Sequence, residues 1–393
     1  MRFVEDLDVR GKTVFVRVDF NVPLNDKGEI RNETRIRASL PTVQYLLERG
    51  AKLVLASHLG RPKGKPDPTM SLRPVAKRLG ELLGREVVMA PDVVGPDVAK
   101  LKAGLVPGGV LLLENVRFHP GETKNDPALS AALADGVDVF VNDAFGSSHR
   151  AHASVVGIAE LVSVVAAGYL MKKEVDYLRR AIQPAKPYVA ILGGAKTEDK
   201  IPVIENLLQK ADHILVGGAM AYTFFLAQGE NPGRSLVEPD KVDIARGILA
   251  KAKEKGVRFL LPLDHVLTAS IESGRVDRVV EGLPFPADLM GVDIGPKTVA
   301  AYAAVISQAK TVFWNGPLGV FETPAFAEGT VAIAKAVASS GAVTIIGGGD
   351  SIAAVAKAGV TDKITHISTG GGASLEFIAN ETLPGIEALE RRS

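Results

Sequence analysis

Short runs of apolar and β-branched residues recur along the chain, and a longer stretch with helical spacing usually follows each. In the first half the runs cover residues 13–18, 52–57, 110–113 and 137–142; in the second half, 188–192, 213–216, 311–314, 343–346 and 366–368. Runs that are apolar on both faces, rather than alternating, belong to strands of parallel sheets covered by helices on both sides. Their alternation with helical segments predicts an α/β fold built from doubly wound, Rossmann-like parallel sheets.

A chain of 393 residues exceeds the roughly 250–300 residues that one hydrophobic core serves, so two lobes are expected. The boundary falls at residues 169–182. There Tyr169–Ala181 (YLMKKEVDYLRRA) has helical spacing, mixed charge and no breaker before Pro184. This reads as a linker helix between residues 1–168 and residues 183–378, although one more surface helix of a single lobe has the same pattern. No short-period repeat or low-complexity segment interrupts the sequence.

Composition narrows the chemistry. The chain is 46% hydrophobic and 23% charged, with a formal net charge of +1. No overall field marks a nucleic-acid or membrane surface, so an anion site has to be a local cluster. Cysteine is absent, which excludes disulfides, thiolate metal sites and a cysteine nucleophile. No apolar signal region follows Met1, and the best apolar stretch, Leu161 to Met171, is shorter than the about 20 residues that span a bilayer. The expectation is a soluble, cytoplasmic protein.

Ligands of open parallel sheets sit beyond the carboxyl ends of the strands, and the two halves differ there. In the first half the runs contain or lead into charged and polar side chains: Arg17 and Asp19-Phe20-Asn21, then His58-Leu59-Gly60-Arg61, Glu114-Asn115-Val116-Arg117, and Asp143 followed by His149, Arg150 and His152. Arg35 and Arg37 add two guanidinium groups. Arginine binds carboxylate and phosphate through paired charge-assisted hydrogen bonds, so this set suits a small, multiply anionic molecule. Each of these residues taken alone also reads as a solvated, salt-bridged or capped surface residue. His149 and His152 lie three apart, but nothing nearby completes a zinc site.

In the second half the strand ends carry glycine: Gly193-Gly194-Ala195-Lys196, Gly217-Gly218-Ala219, Asn315-Gly316-Pro317, Gly347-Gly348-Gly349-Asp350-Ser351 and Gly370-Gly371-Gly372. Glycine lets backbone approach a ligand, and a helix start beyond it offers free N–H groups to phosphate. One such turn is ordinary; five in one half point to a nucleotide lobe. Lys196 and Lys200 follow the first of them, and Asp350 suits Mg²⁺. The segment Gly291–Thr298 resembles a P-loop but has proline before its lysine and one residue too few. Neither a G-x-G-x-x-G after the first strand of either half nor a G-x-S-x-G or H-E-x-x-H is present.

A side-chain-rich anion lobe and a backbone-rich nucleotide lobe together suggest phosphoryl transfer, which needs alignment, charge neutralisation and water exclusion. Two other readings share the architecture. A two-lobe binding protein without chemistry is disfavoured by the missing export signal and the Lys-plus-Gly strand ends. A nicotinamide-dependent dehydrogenase is disfavoured by the missing dinucleotide fingerprint.

These residues also resemble a known family. TVFVRVDFNVP at 13–23, HLGRP at 58–62, ENVRF at 114–118, HRAH at 149–152, GGAK at 193–196, WNGP at 314–317, GGGD at 347–350 and LPG at 383–385 are similar, in order and across the whole chain, to the motifs of the phosphoglycerate kinases. The resemblance implies two doubly wound lobes joined by a hinge helix, with residues 379–393 returning to the first lobe. It implies reversible transfer of the acyl phosphoryl group of 1,3-bisphosphoglycerate to ADP, with Mg²⁺ as Mg-ATP or Mg-ADP, in a monomer without nucleic-acid or membrane partners.

The resemblance also assigns residues. Asp19, Phe20, Asn21, Arg35, His58, Leu59, Gly60, Arg61, Arg117 and Arg150 would bind 3-phosphoglycerate. Lys196, Lys200, Gly217, Gly218, Gly291, Asn315, Glu322, Gly348, Gly349, Asp350 and Ser351 would bind the nucleotide, with Asp350 as the metal ligand and Glu322 on the ribose. Arg35, Lys196, Gly371 and Gly372 would act on the moving phosphoryl group. Ala219 stands where many members have glycine, and its methyl is expected to trim nucleotide affinity. No general base is expected, because the attacking oxygen is already ionised.

Overall fold

The computed structural model describes residues 1–392. The chain divides into two units, Met1–Val175 with the stretch from Thr382, and Asp176–Glu381. The helix Tyr169–Ile182 begins in the first unit and ends in the second.

The first unit is built on strands β1 (Thr13–Arg17), β2 (Lys52–Ala56), β3 (Val88–Met89), β4 (Val110–Leu112), β5 (Val139–Asn142) and β6 (Val164–Ala167). They form one parallel sheet in the order β3-β4-β2-β1-β5-β6. The interior strands are buried along their length because both faces are covered: Val14, Val16, Leu53 and Leu55 pack in the core with Leu46 and Leu79 from the helices Thr34–Glu48 and Arg73–Leu83. The chain leaves β1 toward β2 on one side and returns to β5 on the other. That reversal puts the crevice of the sheet at the carboxyl end of β1, where the switch-point rule places ligands.

The second unit holds β7 (Tyr188–Leu192), β8 (His213–Val216), β9 (Arg258–Leu260), β10 (Asp264–Thr268), β11 (Arg278–Glu281), β12 (Met290–Ile294), β13 (Thr311–Asn315), β14 (Val343–Gly347) and β15 (His366–Ile367). Six of them form a parallel sheet, β15-β14-β13-β7-β8-β9, whose order reverses between β7 and β13. The strands β10, β11 and β12 form a separate antiparallel sheet. The sequence reading does not include this sheet, because its strands mix charged and half-exposed positions instead of running apolar on both faces. The two-residue edge strand β3, the short β9, and β6 inside the apolar stretch 161–171 are also absent from it. Several predicted runs overshoot the observed strands by one or two residues: 137–142, for example, pairs only from Val139.

The segment that resembles a P-loop is a capped helix start. Gly291 to Ile294 lie in β12, and at the N-terminus of the helix Pro296–Ile306 the Asp264 carboxylate accepts from Lys297 N at 2.9 Å and from Thr298 N at 2.8 Å. A protein carboxylate occupies the anion position of that helix.

A buried carboxyl organises the end of β5. Asp143 is inaccessible to solvent; its Oδ1 accepts from Met171 N at 3.1 Å, and its Oδ2 has no hydrogen-bond partner. The nearby Thr42 hydroxyl, which accepts from Tyr169 N at 2.9 Å, opposes the effect of burial on this carboxyl. Burial pushes the Asp143 carboxyl up to about 7. The folded unit thus keeps a proton that an unfolded chain releases near pH ~4, so stability declines as pH rises from about 4 to about 7 and levels off above. Asp143→Asn is expected to flatten that slope in denaturant unfolding of the first unit. An equal decline in wild type and variant would contradict the assignment.

Candidate active site

In the first unit the carboxyl ends of β1, β2 and β5 lie side by side, with Arg17 in register with Ala56 and Asn142. The loop after β1 is tied to the loop after β2: Phe20 N donates to Ser57 Oγ at 2.8 Å, and Gly60 N donates to Asn21 Oδ1 at 2.9 Å. Asn115 braces the same loop, accepting from Leu59 N at 3.2 Å and donating to Leu59 O at 2.7 Å. These bonds place the backbones of Phe20, Leu59 and Gly60 as framework around Asp19, Asn21 and His58.

Around that framework gather the cations. Arg35, in the first turn of Thr34–Glu48, pairs with Asp19. Arg117 donates from Nη1 to Gly60 O at 2.8 Å, while its Nε is buried without a hydrogen-bond partner. Burial, then the charges of Arg17 and Arg150, bring the Arg117 guanidinium down to about 10. Burial, with the charges of Arg17, Arg117 and Arg35, holds the His58 ring well below the usual imidazole range. Burial, then Arg117 and Arg17, brings His152 to about 3. Arg61 and Arg150 act on Arg117 through their charge. Such mutual repulsion is costly without a counter-anion, and a phosphate or carboxylate ligand supplies one. Arg37 stands apart, bonded to Glu33 Oε1 at 2.7 Å on a half-exposed face.

In the second unit a pocket opens at the switch point. Gly193, Gly194, Lys196, Lys200, Asn315, Gly348, Gly349, Asp350, Ser351, Gly371 and Gly372 all line it. The glycines there do two different jobs. Gly193 and Gly316 press backbone on backbone, with an added Cβ at either lying 2.1 Å from a carbonyl oxygen of the other turn. Gly194, Gly349, Gly371 and Gly372 instead face open space, with nothing within 4 Å of an added Cβ. The helices Gly349–Lys357 and Gly372–Asn380 both start at this pocket, and neither has a side-chain cap. Two uncapped helix starts with bare backbone make a polyphosphate cradle.

Lys200 Nζ donates to Asn315 Oδ1, and Asn315 Nδ2 donates to Gly347 O at 2.8 Å, so Asn315 orients the lysine. Burial lowers the Lys200 ammonium, and the Asp199 and Asp350 charges oppose that shift. Ser351 is buried and accepts from Gly316 N at 2.6 Å. Asp350 is exposed in the first turn of its helix, and no group of three or more His, Cys, Asp or Glu that could hold a metal occurs among the described residues. One carboxylate in a phosphate cradle fits Mg²⁺, which keeps waters and takes most other ligands from phosphates.

Four predicted nucleotide residues lie outside this lining. Gly217 and Gly218 back it: an added Cβ at Gly218 would sit 2.7 Å from Gly194 N, and one at Gly217 would strike Leu318. Gly291 is on β12, where an added Cβ would sit 1.8 Å from the Tyr222 hydroxyl oxygen. Glu322 is exposed in the turn before Pro324–Phe326. The sequence reading also leaves Glu122 and Ser154 unassigned, although both are fully buried next to the cation cluster. The one signal pointing there is the charged Arg17 inside an otherwise apolar strand.

The chain resembles known proteins over almost its whole length. The family model described as "Phosphoglycerate kinase" matches residues 4–381. The chain is 58% identical over 393 residues to the phosphoglycerate kinase of Solibacter usitatus (strain Ellin6076), covering 99% of each. It is 56% identical over 398 residues to that of Koribacter versatilis (strain Ellin345), again covering 99% of each. Among solved structures, phosphoglycerate kinase from Coxiella burnetii superposes with a TM-score of 0.91 at 41% identity, covering 99% of both chains. The Pyrococcus horikoshii OT3 enzyme superposes with a TM-score of 0.82 at 37% identity, covering 100% of this chain and 99% of that one. No helix among the described residues is long and apolar enough to cross a membrane. The chain belongs to the phosphoglycerate kinases, glycolytic phosphotransferases that move a phosphoryl group between 1,3-bisphosphoglycerate and ADP.

Proposed function

We propose that the cation cluster of the first unit binds 3-phosphoglycerate and 1,3-bisphosphoglycerate, and that the glycine-lined pocket of the second binds the magnesium nucleotide. The observation that carries this reading is the contrast between them. One site offers guanidinium groups to a small anion; the other offers bare backbone and two uncapped helix starts to a phosphate chain.

In this reading Asp19 and Asn21 contact the substrate's polar groups, and Arg61, Arg117 and Arg150 its phosphate. Arg35 meets the transferring phosphoryl group. Lys196, exposed at the pocket, contacts the same group from the nucleotide side, and the Gly371–Gly372 backbone donates to it. Lys200 is pre-aimed by Asn315. Asp350 holds the Mg²⁺ that arrives with the nucleotide and neutralises phosphate charge. Glu322 contacts the ribose, and Gly217, Gly218 and Gly291 shape the adenine side. Transfer is in line and needs no general base, since ADP and the carboxylate both attack as anions. It requires closure of the two units, linked by the helix Tyr169–Ile182, and the enzyme acts as a cytoplasmic monomer.

The test is a coupled assay that supplies Mg-ATP and 3-phosphoglycerate and follows 1,3-bisphosphoglycerate through NADH oxidation. Turnover is expected only with both substrates. Asp350→Asn is expected to raise the KM for Mg-ATP at least about tenfold, the scale of a lost charged contact, while calorimetric 3-phosphoglycerate binding stays unchanged. Equal loss of both affinities would contradict separate sites.

A further inference from the structure

Behind the cation cluster runs a chain of buried hydrogen bonds whose direction is set by its members' chemistry. Arg17 Nη2 lies 3.2 Å from His58 Nδ1, and Arg17 Nε donates to Ser154 Oγ at 2.8 Å. Ser154 Oγ donates in turn to Glu122 Oε1 at 2.6 Å, and Ser154 N donates to Glu122 Oε2 at 3.0 Å. Arg17, Glu122 and Ser154 are completely buried, and His58 is 6% exposed. A guanidinium only donates, so His58 Nδ1 must accept. A hydroxyl that accepts from arginine still has one proton to give, and the carboxylate takes it.

We infer that Glu122, Ser154 and Arg17 form a positioning relay that locks His58 as the neutral tautomer protonated on Nε2, so that the ring meets its ligand as a hydrogen-bond donor. The relay itself stands on the geometry alone; its effect on substrate affinity rests on the reading of His58 as a 3-phosphoglycerate contact. A ring so placed adds a directed donor to the anion site without adding another charge beside Arg35 and Arg117. The depressed basicity of His58, caused first by burial and then by the charges of Arg17, Arg117 and Arg35, agrees with a neutral ring.

Glu122 is the anchor. It faces a field of cations, acting by charge on both Arg17 and Arg117, and its Oε1 lies 3.7 Å from His152 Nδ1. A plain buried ion pair would set the carboxylate directly on the guanidinium. Here a serine hydroxyl stands between them and fixes the guanidinium plane, while Nη1 donates to Val18 O and so also holds the strand end that leads to Asp19. Ser154 is held in its turn: it lies in the π-helical segment Ala153–Gly157, against which Gly385 packs so closely that an added Cβ would come 2.8 Å from Val155. Outer groups that set a histidine's tautomer in this manner are known to control ligand affinity strongly at metal sites; the same logic applies to an anion.

The experiment is nitrogen-15 NMR of the histidine rings in the intact chain, with His58 assigned by His58→Gln. The expected wild-type spectrum shows His58 Nδ1 unprotonated and Nε2 protonated. Ser154→Ala is expected to abolish this single-tautomer signature and to raise the KM for 3-phosphoglycerate about tenfold, the scale of one lost charge-assisted hydrogen bond, with a smaller change in kcat. Ser154→Thr, which keeps the hydroxyl, is expected to retain the signature. A wild-type ring protonated on Nδ1, or on both nitrogens, overturns the relay by itself, whether or not the variants fold. So does a folded Ser154→Ala protein with an unchanged ring spectrum. A changed spectrum with an unchanged KM supports the relay and removes His58 from the substrate contacts instead.

Discussion

Arg35→Ala is expected to lower kcat roughly a thousandfold, as loss of an arginine that stabilises a transferring phosphoryl group does, while the KM for 3-phosphoglycerate changes only a few-fold. Arg35 stands in the first turn of the helix Thr34–Glu48, 35% exposed and paired with Asp19. It is thus held by one carboxylate while part of its fork remains available. An interaction made in the transition state and not in the ground state appears in kcat. Arg35→Lys is expected to recover little, because an ammonium cannot reproduce the planar fork. Steady-state kinetics in the coupled assay decide the matter. A variant with wild-type kcat, or one whose only defect is KM, takes Arg35 out of the transfer step.

Gly316→Ala is expected to destabilise the second unit by about 3 kcal/mol, combining overpacking with strain at positive φ, and to weaken nucleotide binding more than about tenfold. The residue has φ +92°, and an added Cβ would lie 2.1 Å from Gly193 O and 2.4 Å from Gly193 C. The neighbour is backbone, already fixed by Gly193 N donating to Asn315 O at 3.0 Å and Gly194 N to Pro317 O at 2.9 Å. No side chain can swing aside, so the turns after β7 and β13 must part; the first carries Lys196, and the second follows directly on Asn315. Denaturant unfolding and calorimetry with Mg-ADP read the two effects. Wild-type nucleotide affinity in the variant would show that the close packing of these turns does not shape the pocket.

Much of this protein was legible in the residues because the determining physics is local. A strand buried on both faces has to be apolar throughout, so β1, β7 and β13 show in the sequence without any partner being known. Glycine at a strand end and arginine beside a carboxylate are also local statements; the pocket lining in the second unit includes Gly348, Gly349, Gly371 and Gly372 but not Gly217, Gly218 or Gly291. The antiparallel sheet of β10, β11 and β12 was not legible, since half-exposed strands carry a mixed pattern that surface turns share.

The fine structure of the sites came from contacts between residues distant in sequence. Gly291, a nucleotide-side glycine in the sequence reading, packs against the Tyr222 ring, a contact no local pattern announces. The segment 291–298 already fails as a P-loop in the sequence, by its proline and its length, and the structure adds that Asp264 fills the helix start beside Lys297. Ser154 is 137 positions from Arg17, and nothing local marks either it or Glu122 as part of the site. The sequence by itself determined the strand identities, the two kinds of strand end and the family, because burial periodicity and backbone freedom are written residue by residue. Only the tertiary structure decided which polar groups share a hydrogen bond, because the cost of burying a charge is met by whichever partner the fold brings within about 3 Å.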